Sequence, residues 1–185
     1  MFKQHLVDKS LVNKATELFR IIFPNETMYD EETGSLDNCF ALAAEETHEP
    51  PDIWRYYLYT DSTPDCPYGK YIGMSGIYVE KSDPESAWLG WLGVLPEYRR
   101  ERYGTRMLNY FEREAKELGF KFARLYTNEG NLAARALYEF AGYTMERLNY
   151  DPPEYVKVGG EVVIYSRSLY KDVPLVPWNS RPLEF

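Results

Sequence analysis

Apolar residues recur with the period of an α-helix in several parts of the chain, each next to a residue that starts or ends helices. Ser10 is placed to cap the first helix, whose apolar face consists of Leu11, Ala15, Leu18, Phe19 and Ile22. An apolar patch over residues 39–44 predicts a second helix. The third helix ends at Gly119, and its apolar face consists of Met107, Leu108, Phe111, Ala115 and Leu118. A fourth helix is predicted over residues 131–141 and is closed by Gly142.

Runs rich in aromatic and β-branched residues alternate with turns that contain Pro, Gly or Asp, and these runs predict strands. They cover residues 53–59, 71–79, 87–94, 122–127, 143–150 and 161–170. The third helix lies between the 87–94 and 122–127 runs, which is the order of a βαβ crossover, so these two strands should be parallel. The first three runs are predicted to be antiparallel neighbours. The pattern therefore predicts an α/β (α+β) fold on a mixed, mostly antiparallel sheet.

The length of 185 residues, without a Ser/Gly-rich linker, predicts one domain over residues 1–185. The hydrophobic share of 44% and charged share of 27% are ordinary, whereas the aromatic share of 16%, led by 17 Tyr, is high. No run approaches the roughly 18 apolar residues of a membrane span, and the first ten residues do not resemble a signal peptide. We therefore expect a cytoplasmic protein.

Charge and cysteine content narrow the function classes further. The net charge of −8 argues against nucleic acid or an anionic membrane as a partner and favours a cationic one. Cys39 and Cys66 lie far apart, without CxxC spacing or a nearby histidine pair. Neither a disulfide framework nor a metal site is therefore expected.

An arginine-rich turn, VLPEYRRERYGTRML over residues 94–108, joins the 87–94 strand to the third helix. The first N–H groups of a helix lack intrahelical partners and lie at the positive end of its dipole, so such a turn is suited to a phosphate. Arg99, Arg100 and Arg102 add positive charge there. Gly104 allows a ligand to approach the backbone, and Thr105 offers a hydroxyl. A diphosphate fits this combination.

A solvated basic turn, partly neutralised by Glu97 and Glu101, is the alternative to an anion site. The stretch contains neither GxxxxGK[ST] nor GxGxxG, so other phosphate-binding motifs do not fit. Residues 99–104, RRERYG, resemble the acetyl-CoA pyrophosphate loop of the GNAT superfamily of N-acetyltransferases, which has the form [Q/R]-x-x-G-x-[G/A]. The chain departs from this form at Arg102, which stands where the first glycine is usual.

A second stretch, NLAARALYEFAGY over residues 131–143, is similar to the family's N-x-x-A-x-x-L-Y-x-x-x-G-[F/Y]. The matching residues are Asn131, Ala134, Leu137, Tyr138, Gly142 and Tyr143. The two motifs stand in the family's order, and the resemblance covers residues 87–143. It implies a GNAT-like sheet of about six to seven strands, flanked by about four helices, with a βαβ cofactor-binding core.

The resemblance implies transfer of an acetyl group from acetyl-CoA to a primary amine, directly and in a ternary complex. Tyr138 would be the general acid that protonates the thiolate. The backbone N–H of Leu92, or of its neighbour Val94, would polarise the thioester carbonyl. Asn131 would bind the pantetheine arm or cap its helix. The implied cofactor-binding residues are Val94, Arg99, Arg100, Arg102, Tyr103, Gly104, Thr105, Asn131 and Tyr138.

Other roles remain open for these residues and for the whole protein. Tyr138 has the alternative of a core aromatic alongside Leu137 and Phe140. Many family members place a glutamate before the loop, but the corresponding residues 88–91 are WLGW. A non-catalytic acyl-CoA-binding module or sensor is therefore the second hypothesis, and an acyltransferase for longer acyl groups is the third.

The general base is not identified by the sequence. The candidates are a water chain or a carboxylate from elsewhere, and the carboxylates considered are Glu80, Glu45 and Glu46. His5 and His48 are interpreted as surface residues.

Residues 26–49 carry eight acidic side chains and neither Lys nor Arg. In the family, this region lines the acceptor side of the cleft, so we expect a small cationic molecule or a peptide amine as substrate. A solvated acidic surface is the alternative. No nucleic acid, membrane or metal is expected, and a homodimer remains open.

Overall fold

The computed structural model describes residues 1–24, 36–45, 52–148 and 160–178. The chain forms two compact units, one of Met1–Tyr78 with Gly90–Phe111 and the other of Val79–Leu89 with Glu112–Phe185. A strand and a helix, introduced below as β4 and α3, each contribute residues to both units. A single domain over residues 1–185 stays a prediction.

Within the described residues, the first unit contains two whole α-helices, three whole strands and parts of one further helix and one further strand. The elements wholly inside it are β1 (Phe2–Leu6), α1 (Val12–Ile22), α2 (Leu36–Glu45), β2 (Trp54–Thr63) and β3 (Cys66–Tyr78). The second half of β4 (Ser86–Val94) and the first half of α3 (Tyr103–Glu117) complete it. The strand order is β1-β2-β3-β4, and both β1 and β3 are antiparallel to β2.

The core of the first unit forms where α1 and α2 bury their apolar faces against the sheet. Helix α1 buries Ala15, Leu18, Phe19 and Ile22, the face that its apolar period predicts. Phe40 of α2 packs edge to face on Phe19, with ring centroids 5.9 Å apart. Helix packing therefore places a cluster of aromatic rings at this face of the sheet.

The second unit contains the βαβ crossover partner and the two last strands. Its elements are the first half of β4, the last turns of α3, β5 (Phe122–Asn128), α4 (Leu132–Phe140), β6 (Thr144–Arg147) and β7 (Val162–Ser168). The order is β4-β5-β7-β6, and only the β4–β5 pair is parallel among the pairs assigned here. The predicted mixed, mostly antiparallel sheet is confirmed, with seven strands and four α-helices in the described residues.

Two details of the N-terminal region differ from the prediction. Ser10 does not cap α1: the residue before the helix is Leu11, without a side-chain cap, and the Ser10 hydroxyl donates to Asp8 Oδ1 at 2.6 Å. The competing local hydrogen bond turns Ser10 away from the helix. Strand β1 was not predicted, because its five residues include a single buried side chain, that of Phe2, and show no apolar period.

The remaining elements occur where they were predicted, with shifted ends. The 39–44 patch lies in a longer helix, Leu36–Glu45, and the 53–59 run extends to Trp54–Thr63. Gly119 and Gly142 follow α3 and α4 with φ of +87° and +82°, the left-handed conformation expected of a residue that closes a helix. Residues 149–150 of the predicted fifth run lie outside the described residues.

A buried guanidinium lies in the second unit, on β5. The side chain of Arg124 is 2% exposed and is surrounded by hydrogen-bond acceptors. Its nitrogens donate to Asp83 Oδ2 at 2.8 Å, Ser86 Oγ at 3.0 Å, Ser166 Oγ at 2.7 Å and the Val176 carbonyl at 2.8 Å. These contacts attach residue 176, near the end of the described chain, to the sheet. Because the charge is well satisfied, its burial is tolerated.

We expect Arg124→Met to lower the free energy of unfolding by about 3–5 kcal/mol, because it leaves the buried Asp83 carboxylate without its cation. Lys121→Met is the matched control, since Lys121 pairs with Glu85 at the surface, where ion pairs contribute about 0–1 kcal/mol. Urea unfolding of both variants measures the difference. Equal stabilities would mean that the buried network makes no net contribution.

Candidate functional site

The arginine-rich turn is attached to the end of β4 by one of its own arginines. After β4, the chain makes a single 3₁₀ turn over Pro96–Tyr98 and enters α3 at Tyr103. Arg99 Nε donates to the Val94 carbonyl at 3.1 Å, so this side chain folds back onto the strand. Among the predicted cofactor-binding residues, Arg99 and Val94 are therefore brought into direct contact.

The backbone of the turn is left-handed at two of its arginines. Arg100 has φ of +67° and Arg102 has φ of +61°, whereas Glu101 between them is not left-handed. A residue with a Cβ pays roughly 1–2 kcal/mol for this conformation. Alternation of hand along a short segment turns successive N–H groups to the same side, which creates a concave anion-binding backbone. At Arg102 the chain thus adopts the conformation that a glycine would allow without cost.

The first turn of α3 continues this set of backbone donors. The Arg106 N–H donates to the Arg102 carbonyl at 3.1 Å and so starts the helical ladder. The N–H groups of Tyr103, Gly104 and Thr105 precede that bond and have no acceptor within the helix. Together with the dipole of a 15-residue helix, they make the turn electropositive.

The alternative, a basic turn partly neutralised by Glu97 and Glu101, requires ion pairs between these residues and the arginines. The side chains of residues 99, 100 and 102 are exposed. Among the described residues, no salt bridge joins Glu97 or Glu101 to these arginines. The positive charge of the turn is therefore available to a ligand.

Tyr103 has a partner that the sequence did not indicate. Its hydroxyl donates to Asp61 Oδ2 at 2.9 Å, a contact between residues 42 positions apart. Partial burial and the neighbouring carboxylate both raise the pKa of Tyr103, so the hydroxyl remains a donor at neutral pH. Asp61 lies near the end of β2, and no local motif distinguishes it from other acidic residues.

Strand β4 is distorted directly before Leu92. Trp91 has φ of +45°, which is unusual for a bulky residue. Its indole packs edge to face against Phe19 and Phe23 of the α1 region, at centroid distances of 4.8 and 5.3 Å. Leu92 and Val94, the two candidates for the oxyanion N–H, follow it as half-buried residues. Backbone strain of this kind concentrates at functional positions.

Tyr138 lies in the second unit, on the buried face of α4. It is 5% exposed, and its ring is 5.6 Å from that of Tyr165 and 6.1 Å from that of Tyr143. Burial, with a smaller contribution from Tyr165, raises the pKa of Tyr138 far above its usual value. Phe140, grouped with Tyr138 in the core alternative, is 86% exposed, so that part of the alternative is wrong.

Asn131 caps α4, as expected for one of its two predicted roles. Its side-chain oxygen accepts a hydrogen bond from the Ala134 N–H at 3.3 Å. This contact fixes the start of the helix that carries Tyr138.

The candidate bases have the following positions. Glu45 is exposed at the end of α2 and pairs with Lys9 at 3.3 Å, and Glu80 is half-buried after β3.

His5 Nε2 lies 2.8 Å from Thr60 Oγ1 and is half-buried, not a freely exposed residue. Glu46 and His48 lie outside the described residues.

The described residues also bear on a metal site and on a membrane-spanning segment. No group of three or more His, Cys, Asp or Glu side chains is arranged there to hold a metal ion. No helix in the same residues is long and apolar enough to cross a membrane.

Known proteins resemble this chain in sequence motifs and in fold. The model of the acetyltransferase (GNAT) family matches residues 13–143. The ribosomal-protein-S18-alanine N-acetyltransferase from Escherichia coli superposes with a TM-score of 0.62 at 19% identity, over 95% of this chain and 100% of that one. The spermidine/spermine N-acetyltransferase SpeG from Vibrio cholerae gives a TM-score of 0.65 at 15% identity, over 91% of this chain and 92% of that one.

A GNAT-family protein from Desulfovibrio desulfuricans, described as a putative acetyltransferase, gives a TM-score of 0.70 at 12% identity, over 92% and 100% of the two chains. At such identities the likeness is one of fold. A comparison with curated protein sequences gives no match. The family model, in contrast, spans more than two thirds of the chain and includes both sequence motifs. The chain therefore belongs to the acetyltransferase (GNAT) family.

Proposed function

We propose that this protein is an N-acetyltransferase that uses acetyl-CoA and transfers the acetyl group directly to a primary amine. The observation that carries the proposal is the turn at residues 99–105, whose backbone alternates in hand before a helix N-terminus. Family membership implies acetyl transfer, and acetyl-CoA is the donor of GNAT acetyltransferases. The donor and the amine are proposals for this chain.

The residues present fit the diphosphate of acetyl-CoA. The left-handed residues Arg100 and Arg102 orient backbone N–H groups, and those of residues 103–105 add further donors. The exposed guanidinium groups of residues 99, 100 and 102 supply positive charge. Val94, in the first unit, and Asn131, in the second, are each proposed separately as a further cofactor-binding residue. When bound, the donor supplies the acetyl group as a thioester.

Two groups of the chain are assigned to the chemistry. The Leu92 backbone N–H donates to the carbonyl oxygen, where negative charge develops during transfer. The Tyr138 hydroxyl holds the proton that the departing thiolate takes up. The raised pKa of Tyr138 keeps the hydroxyl protonated at neutral pH and also makes it a weaker acid towards the thiolate. The C–N bond would form as the C–S bond breaks, the thiolate would take its proton from Tyr138 and the proton lost by the amine would pass to water, so no covalent intermediate on the protein is required.

An acyl-CoA sensor without catalysis is the second candidate function, because residues 88–91 contain no carboxylate. Trp88 is buried and packs on Trp178, so this part of β4 is a core strand. Thiol release from acetyl-CoA, followed across a panel of amines, separates the two. An enzyme releases thiol in an amine-dependent manner, whereas a sensor binds the donor and releases none.

The proposed acceptor is a small cationic molecule or a peptide amine. The net charge of −8 favours cations, and two fold neighbours are described as acting on spermidine or spermine and on a ribosomal protein. Most of the acidic segment at residues 26–49 lies outside the described residues. Half-buried rings of Trp54, Tyr71 and Trp91 border the first unit's core, and the Lys14 ammonium group lies over the Tyr71 ring, 5.7 Å from its centroid.

We expect spermidine-like polyamines or basic peptides to have a lower KM than a neutral primary amine of similar size, because a negative field concentrates cations. The difference should shrink as salt is raised from about 0.01 M to about 1 M, where the Debye length becomes a few ångströms. Initial rates at a fixed acetyl-CoA concentration give these constants. KM values at low salt that do not depend on the charge of the amine would contradict a cation-selective acceptor site.

Substitutions of Arg102 test whether the diphosphate binds through the backbone N–H groups of the turn. Arg102→Gly and Arg102→Ala both remove the guanidinium, but only glycine removes the cost of φ at +61°. We expect coenzyme A to bind the glycine variant more tightly than the alanine variant, by up to about 5-fold, because more of the free protein has the binding conformation. Calorimetric titration measures both. A tighter alanine variant would argue against the backbone cradle.

Tyr138→Phe should lower kcat by about 10²- to 10⁴-fold and change coenzyme A affinity by no more than a few fold. The ring and its packing are kept. Tyr143→Phe, on a neighbouring ring, is the matched control and should leave kcat near that of the unmodified protein. An unchanged kcat in Tyr138→Phe would assign Tyr138 to the core.

The pH dependence of kcat checks the same assignment. Because the pKa of Tyr138 is raised, the acid form persists as pH rises and is lost only above that raised pKa. We therefore expect no alkaline fall in kcat from Tyr138 between about pH 7 and about pH 10. An alkaline fall in that range that disappears in Tyr138→Phe would contradict the raised pKa.

A further inference from the structure

Asp61 joins the end of β2 to the start of α3 through a single carboxylate. Its Oδ2 accepts the Tyr103 hydroxyl at 2.9 Å and lies 3.3 Å from Arg106 Nη1. Its Oδ1 lies 2.9 Å from the ammonium group of Met1. The side chain of Asp61 is 19% exposed, so these contacts are partly shielded from water. Tyr103 and Arg106 are thus held from outside their own helix.

Packing on an aromatic ring also fixes the start of α3. The Arg106 guanidinium lies over the Phe2 ring, with a centroid distance of 4.1 Å, and Phe2 is paired with Asp61 across β1 and β2. The Tyr103 ring also packs on Phe2, at 5.5 Å. Asp61 is the acceptor that orients both polar groups of this cluster. The first turn of α3 therefore has a defined position relative to β2.

The strained turn needs such attachments. Left-handed residues with a Cβ persist where their surroundings over-determine them, and the turn contains two, Arg100 and Arg102. Before them, Arg99 is fixed to the Val94 carbonyl at 3.1 Å. After them, the first side chain is Tyr103, whose hydroxyl is fixed to Asp61. The strained segment is thus attached at both ends, and one of the attachments depends on Asp61.

Asp61 is unsuited to bind an anion itself. Its burial alone would raise the pKa of the carboxyl, but hydrogen bonds from Met1 and Tyr103 and the charge of Arg106 outweigh that effect and lower it. The group is therefore charged at neutral pH. A carboxylate beside a diphosphate site would repel the ligand, so its place there is explained by its effect on the protein.

We propose that Asp61 is a positioning residue of the cofactor turn, which holds residues 99–105 in the anion-binding conformation through Tyr103 and Arg106. The proposal rests on the proposed function for the identity of the ligand. Its structural part, that Asp61 orders the turn, stands independently of that function. The proposed effect of Asp61 is exerted through its contacts with Tyr103 and Arg106.

Hydrogen exchange of the protein without ligand tests the structural part. Asp61→Ala removes the acceptor, and we expect the amides of residues 106–108, the first with acceptors in the α3 ladder, to exchange about 10-fold faster or more, given the strength of hydrogen bonds to charged groups. Asp61→Asn keeps a neutral acceptor for Tyr103 and should fall between. Asp65→Asn, an exposed carboxylate on the same hairpin, is the matched control. Unchanged exchange at residues 106–108 in Asp61→Ala would overturn the proposal.

Coenzyme A titration tests the functional part. We expect the Kd to rise about 10-fold in Asp61→Ala, less in Asp61→Asn and not at all in Asp65→Asn. Tyr103→Phe should also raise the Kd, and Asp61→Ala should then cost less in the Tyr103→Phe background than alone, because the two residues act through one contact. Strictly additive effects would overturn the route through Tyr103.

The two readouts separate the possible failures. Faster exchange in a protein whose unmodified form does not bind coenzyme A would refute the proposed function and leave the ordering role of Asp61 intact. Normal binding and exchange in Asp61→Ala would refute the positioning role and leave the proposed function intact. Faster exchange throughout the first unit, instead of at residues 106–108, would mean that Asp61 acts on stability alone and would overturn the proposal.

Discussion

The left-handed backbone at Arg100 and Arg102 is the constraint on which the candidate site of the first unit depends. Each of these residues has a Cβ and adopts the conformation at a cost, so the turn would relax if its ends were free. Its ends are held instead by Arg99 on β4 and by Tyr103 on Asp61. The cost is offset by contacts that lie outside the turn. A concave row of backbone donors results, and it is suited to a diphosphate.

Arginine has three different roles in this chain, and burial decides among them. Arg100 and Arg102 are exposed, so their charge is available to a ligand. Arg106 is partly covered by the Phe2 ring and by Asp61, and it connects the helix start to the strands. Arg124 is fully buried and satisfied by carboxylate, hydroxyl and carbonyl oxygens, and it serves the second unit's core. The net charge of −8 does not indicate these different roles, because it counts every arginine alike.

The proposed acid and the proposed oxyanion donor depend on different kinds of environment. Burial among aromatic rings keeps Tyr138 protonated, which a proton donor requires before the leaving group forms. The Leu92 N–H depends on backbone shape, because Trp91 breaks the regular strand immediately before it. Phe19 and Phe23 hold the Trp91 indole and so support the distortion from α1. In both cases aromatic packing surrounds or supports the residue to which a polar role is proposed.

Much of the architecture follows from local pattern. The apolar period of α1, α3 and α4, the glycines that close the last two helices, and the strand–helix–strand order that makes β4 and β5 parallel are all readable in the sequence, because each depends on neighbours in the chain. The two motifs at residues 99–104 and 131–143 indicate the family for the same reason. Even the departure at Arg102 is visible in the sequence. Its left-handed conformation is not.

Tertiary structure alone decided the features that join distant residues. Strand β1 has too few apolar positions to be recognised and forms because β2 offers it a partner edge. Strand β7 lies between β5 and β6, an order that sequence neighbours do not determine. Asp61 meets Tyr103 across 42 positions, and Arg124 reaches Val176 across 52. Such contacts form only when the whole sheet assembles, because the free energy that brings the partners together comes from burial elsewhere in the fold.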